Sequence, residues 1–129
     1  ITPIEWSQAI YLRDSGWSSS PNPTRYVPPR PGLWKFEGSV AFASETGGTY
    51  REARFRRNGS NIQGSMVRDI ADGFPSQQEQ LNLPTTVAHM DGSSDYVEVY
   101  VQHNAGSTLN LFSGVARPTF TATYVGPVP

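Results

Sequence analysis

Apolar residues in this chain return at every second position, and a chain written that way folds as sheet. In GLWKFEGSVAF, Trp34, Phe36, Val40 and Phe42 fall on one parity with Gly38, against Lys35, Glu37, Ser39 and Ala41 on the other. That pattern is a strand with one aromatic face turned to a core and the other turned outward. YREARFRRNG repeats it, with Ala53 and Phe55 inward and Glu52, Arg54 and Arg56 outward. YVEVYVQ sets Val97, Val99 and Val101 on one face and Tyr96, Glu98 and Tyr100 on the other. Phe120, Ala122 and Tyr124 alternate with Thr119, Thr121 and Thr123. No segment carries the spacing of an amphipathic helix, so the predicted class is all-β.

The connections read as turns. Thr46-Gly47-Gly48 closes the first strand, and Asn58-Gly59 predicts a tight hairpin into a strand over Ile62 to Met66. Arg68 to Gln80 loses the alternation and reads as a loop holding Asp72-Gly73 and Phe74-Pro75. Leu81, Leu83, Thr85 and Val87 resume one face, and Pro84 among them marks an edge position or an irregularity. MDGSSD and Asn104 to Ser107 are further turns, the second leading into a short strand at Leu109 and Leu111. In the first third, Ile10, Leu12 and Trp6 are candidates for an initial strand. SGWSSSPNPTRYVPPRPG is irregular, with a brief edge segment at Tyr26 and Val27.

The chain's 129 residues, 36% of them apolar, suffice for one core and are too few for two ordinary domains. The expected organisation is a single domain over 1–129, with 1–31 an irregular strand-and-loop segment and 32–126 the main sandwich. The 12 Gly and 11 Pro sit between alternating runs, which makes them turns rather than a low-complexity tract. Short strands at this spacing predict a sandwich or jelly roll. The formal charge of -1 gives no support for nucleic acid or an anionic membrane. No apolar run approaches the roughly 20 residues of a spanning helix. Without cysteine there are no disulfides, thiolate nucleophiles or cysteine zinc sites. A start at Ile1 is what a fragment or a processed product would have.

Taken together, GLWKFEGSVAF, GGTYREARFRRNGSNI, YVEVYVQHNAG and FTATYVG resemble the globular C1q-like domain of the C1q and tumour necrosis factor superfamily. Gly32-Leu33-Trp34-Lys35-Phe36 stands where that family has a Gly-Tyr-x-Phe strand, and Arg51 to Gly59 matches its strand ending in Asn-Gly. Ser94-Asp95-Tyr96-Val97-Glu98-Val99 matches Gly-Asp-x-Val-x-Val, and Thr119-Phe120-Thr121-Ala122 loosely matches the closing Ser-Phe-x-Gly. The likeness spans residues 26–126, with Trp34 for the usual Tyr, Ser94 for Gly and Ala122 for the frequent Gly. Its texture is nearest to bacterial and bacteriophage modules that cap fibres or decorate virions. The resemblance implies a jelly roll of about ten strands forming a homotrimer. It implies a structural or receptor-binding role, on a virion or an extracellular surface, beside other virion proteins or a host glycan.

Individual residues carry rival readings. Tyr96 and Tyr100 flank Glu98 on a face that is either an ordinary outer surface or a subunit interface, since large aromatics on an otherwise wet face are typical anchors. Arg54 and Arg56 align on one face, where they are solvated, bind a polyanion, or pair with Glu37, Glu52 or Glu98 in the sheet or across an interface. Asp91 and Asp95 are the calcium candidates, though their spacing is equally turn chemistry. His89 and His103 lack the partners of a zinc site, and no cofactor is implied. No phosphate loop or nucleophile elbow is present, and Glu37 and Glu98 read as outward polar residues, so no enzyme is expected. Trp17, Trp6, Tyr26 and Phe74 are the aromatic candidates for ligand contact, and a monomeric carbohydrate-binding module is the second functional expectation. In that reading Trp17, Trp6 or Phe74 lies exposed beside a groove.

Overall fold

A computed structural model describes residues 1–9, 14–75, 78–112 and 117–129. Among them are nine strands and no helix: β1 (Thr2–Pro3), β2 (Gly32–Phe42), β3 (Tyr50–Arg57), β4 (Ser60–Asn61), β5 (Val67–Ile70), β6 (Glu79–Asn82), β7 (Thr86–Met90), β8 (Val97–His103) and β9 (Thr119–Gly126). They form two antiparallel sheets, a β-sandwich. One sheet runs β1-β8-β3, with β4 and β5 both on the far side of β3. The other is built on β2, with β6 and β7 along one edge and β9 along the other. The expected initial strand at Ile10 and Leu12 lies outside the described residues.

The alternation in the sequence places the core. Trp34, Phe36, Val40 and Phe42 of β2 are buried, as are Ala53 and Phe55 of β3 and Val97 and Val99 of β8. Phe36 meets Phe55 across the gap at a centroid distance of 6.2 Å and stacks on Phe120 of β9 at 6.0 Å. Burying each such ring contributes about 2 kcal/mol, and the aromatic pairing adds to it.

The edge of β8 is covered in relay. Thr2 and Pro3 pair with Val101 and Tyr100, Ile4 donates its N–H to Val99 O at 2.8 Å, and Tyr26 bridges to Val97. The expected brief edge segment at Tyr26 is that bridge. It also hides an otherwise open strand edge.

Four expectations need correction. The hairpin at Asn58-Gly59 forms, with both residues at positive φ, but its second strand is only Ser60–Asn61. The chain then turns at Ile62, and the buried Ser65 hydroxyl bonds Phe55 and Ile62 in place of a ladder. The stretch read as a loop from Arg68 holds β5 and β6, because Val67–Ile70 pairs with β3 and Glu79–Asn82 with β2. Pro84 does break an edge strand, and the break inverts the face. Ser39 pairs with Asn82 and Phe36 with Thr86, so three residues oppose two and Thr86 and Met90 turn inward while Val87 turns out. The Leu109 and Leu111 segment is a single bridge, Leu111 to Phe42.

Candidate functional site

All three tryptophans of the chain line one cleft of about 790 Å³. Trp34 stands on β2, Phe120 and Tyr124 on β9, Tyr26 on the bridge to β8, and Trp6 and Trp17 come from the irregular first third. The inward residues of β9, Phe120, Ala122 and Tyr124, are only half-buried, so the sandwich is open along this strand among the described residues.

One carbonyl sets the entrance. Pro23 O accepts the indole N–H of Trp17 at 3.0 Å and the backbone N–H of Trp6 at 3.2 Å, which brings two distant tryptophans to the same wall. Trp34 donates its indole N–H to Arg30 O at 2.8 Å, and the Arg30 guanidinium lies 4.1 Å over the Tyr124 ring. Arg30 thereby contacts both the Trp34 and the Tyr124 ring in the cleft wall. Tyr26 donates its hydroxyl to Asp14 Oδ2 at 2.8 Å, and Asp14 Oδ1 accepts the Gly16 N–H. Burial pushes the Tyr26 hydroxyl well above its ordinary range, and the Asp14 hydrogen bond and charge push the same way. Gly16 is required here, since a Cβ on it would lie 2.5 Å from the Tyr26 ring. Ser7, Gln8, Thr121 and Thr123 add polar groups to the lining. Trp6 and Trp17 are thus half-buried groove residues, and Trp17 also ties the first third to the sandwich.

Phe74 is not a ligand plate. It is buried with Arg51, whose guanidinium lies 4.1 Å over its ring and donates to the carbonyls of Gly47 and Tyr50. Arg51 has the inward parity of Ala53 and Phe55, so its charge is satisfied by loop carbonyls instead of water, and burial lowers its pKa.

Tyr96, Glu98, Tyr100, Arg54 and Arg56 do share one face, the outer side of the five-stranded sheet. Arg56 opposes Glu98 and Arg54 opposes Tyr100 in the register. Outward parity does not mean solvation, however. Glu52 is wholly buried between Arg54 and Arg68, and Glu98 is buried where Thr24 Oγ1 donates to it. The tyrosine rings are covered too, by Arg25 over Tyr96 at 4.0 Å and Arg56 over Tyr100 at 4.5 Å. Glu37 is absent from this face. It sits on β2 in the other sheet and pairs with Lys35 at 3.2 Å.

Asp91 and Asp95 hold their own loop together. Asp91 Oδ1 accepts the N–H groups of Ser93, Ser94 and Asp95 at 2.9 Å, and Oδ2 accepts the Ser94 hydroxyl. Asp95 accepts from Asp91 N–H and Asn58 Nδ2. These hydrogen bonds hold the Asp91 carboxyl far below the usual carboxylate range. Among the described residues no group of three or more His, Asp or Glu is placed to hold a metal, and no helix is long and apolar enough to cross a membrane.

The class that the fold defines is a β-sandwich with an aromatic cleft. Comparisons with protein-family models, curated proteins and solved structures find no match. Sequence reasoning named Trp6, Trp17 and Tyr26 but missed Trp34 and Tyr124 as their companions. The only signal was the clustering of aromatics on inward parity, which equally spells core.

Proposed function

We propose that the protein is a non-enzymatic recognition module that takes a glycan in the aromatic cleft. The observation that carries this reading is the convergence of Trp6, Trp17 and Trp34 on one half-open cleft, two of them held at the wall by the Pro23 carbonyl. Aromatic faces with a few fixed polar groups suit the alternating C–H and hydroxyl surfaces of a sugar ring, and the volume lies in the range of ordinary ligand sites. Hydrolysis is disfavoured because Asp14 is the one carboxylate among the described lining residues, whereas glycoside cleavage needs two. Binding of neutral oligosaccharides, followed by calorimetry, tests the proposal. Trp17→Ala should weaken it about tenfold or more, and Trp17→Phe should retain part of it.

A second reading, a homotrimeric jelly-roll module of a phage virion or fibre, draws on the strand order. β1·β8, β2·β7 and β3·β5 are nested antiparallel pairs, and β9 on β2 with β8 on β3 rolls that nest into two sheets. A glycan-binding cleft on such a module would serve host attachment. A solution mass of three chains supports this setting, and a monomer opposes it.

A further inference from the structure

We propose that the outer face of the five-stranded sheet is a second binding surface, separate from the cleft, whose ligand is an anionic polysaccharide. Four guanidinium groups, of Arg25, Arg54, Arg56 and Arg68, gather there against the carboxylates of Glu52 and Glu98. The charges are layered. Both carboxylates are buried at the base, Glu52 beneath Arg54 and Arg68 and Glu98 beside the Thr24 hydroxyl. The arginines lie above them, so the face presents net positive charge although the chain as a whole carries -1.

The cations are also oriented. Arg25 lies over Tyr96, Arg56 over Tyr100 and Arg68 over Tyr50, with guanidinium-to-centroid distances of 4.0, 4.5 and 4.6 Å. Stacking holds each guanidinium over its ring, and in Arg25 and Arg56 it leaves N–H groups for a carboxylate or sulfate. Arg68 is engaged by Glu52 through Nε, and Arg56 Nε donates to Asn61 Oδ1 at 2.8 Å. Arg25 and Arg56 form no ion pair among the described residues, which makes them the two cations available to a ligand.

Spacing and backbone chemistry select the ligand. Tyr96 and Tyr100 are four residues apart, about 13 Å along an extended chain, so one small anion does not reach both arginines and a polymer of repeating charge does. A peptide is the poorer fit, because β3 and β8 are interior strands whose backbone groups are taken on both sides by neighbours. The face offers a partner side chains only.

The test is binding of the intact protein to polygalacturonate at low ionic strength, with dextran as the neutral control and polyglutamate as the acidic-peptide control. The expected result is salt-sensitive binding of polygalacturonate, weakened about tenfold in Arg25→Gln/Arg56→Gln and less in Arg25→Lys/Arg56→Lys, which keeps charge without the fork. Excess neutral oligosaccharide should not displace it, which separates this surface from the cleft. No binding, dextran binding that falls equally in Arg25→Gln/Arg56→Gln, preference for polyglutamate, or an unaffected but folded Gln variant would each overturn the proposal.

Discussion

The Tyr26 hydroxyl donates to Asp14 Oδ2 at 2.8 Å, twelve residues back in the chain, and this bond closes the irregular first third onto the sandwich. The same tyrosine bridges Val97 through its backbone and packs its ring against Trp34 and Phe120. It joins the β8 edge, the cleft floor and the loop that carries Trp17. Tyr26→Phe should cost about 1–2 kcal/mol in denaturant unfolding, since Asp14 loses a part-buried donor.

Alkaline titration supplies a second check on that bond. Tyr26 has a folded pKa raised above the ordinary 10.0 of a tyrosine by burial and by Asp14. A raised folded pKa means stability fully present below pH 10 and lost as pH rises through the folded value. Tyrosinate absorbance should therefore show the Tyr26 signal, identified by its loss in Tyr26→Phe, appearing only on unfolding. Six tyrosines titrating reversibly in the folded state would contradict the account.

Phe74→Ala should destabilise the protein by about 3 kcal/mol, because the ring is buried and its loss uncovers the Arg51 guanidinium. Thermal or urea unfolding reads the effect directly. A change below about 0.5 kcal/mol would mean that the ring is a surface group after all.

Much of the sandwich was legible because period two is a local property. Trp34, Phe36, Val40 and Phe42, Ala53 with Phe55, and Val97 with Val99 all face the core as their parity predicts, although Ala41 on the outward parity is buried as well. The failures came where a local pattern was overruled by a distant partner. Val87 turned outward because Pro84 inserts an extra residue opposite Gly38, a register event that no spacing rule within the strand reveals. Phe74 looked like an exposed loop aromatic until Arg51, 23 positions earlier, supplied the cation that covers it. Glu52 and Glu98 have outward parity, yet arginines and Thr24 bury them. The cleft was half visible: Trp6 and Trp17 drew notice by sitting outside regular strands, whereas Trp34 and Tyr124 were indistinguishable from core.

His103 gives the pH dependence on the acid side. Burial lowers its pKa, and the Arg51 charge lowers it further, while its Nδ1 accepts the Ala105 N–H at 3.2 Å. With the folded pKa below the unfolded 6.5, the unfolded chain binds the proton first, so stability is fullest above pH 6.5 and falls as pH drops toward the folded value. Between pH 7.5 and 5, wild type should lose more thermal stability than His103→Gln. Equal losses in the two proteins would remove His103 from the account.

Calcium should leave the melting temperature unchanged, because the Asp91 carboxylate is already occupied by three N–H groups and a hydroxyl. Its depressed pKa means that the loop's contribution is present above the ordinary carboxylate range and is lost only as pH falls through a strongly acidic folded value. A melt in calcium and in chelator checks the first statement. A clear upward shift with calcium would show Asp91 and Asp95 opening to a metal.

The most direct test of the central claim uses the fact that Trp6, Trp17 and Trp34 all line the cleft, so the tryptophan emission of the protein reports on that site alone. Titration with a panel of neutral oligosaccharides should produce a saturable change in emission for at least one sugar, reduced in Trp17→Ala. Calorimetric binding of a sugar with no change in tryptophan emission, or no saturable response across the panel, would contradict a glycan site in the cleft.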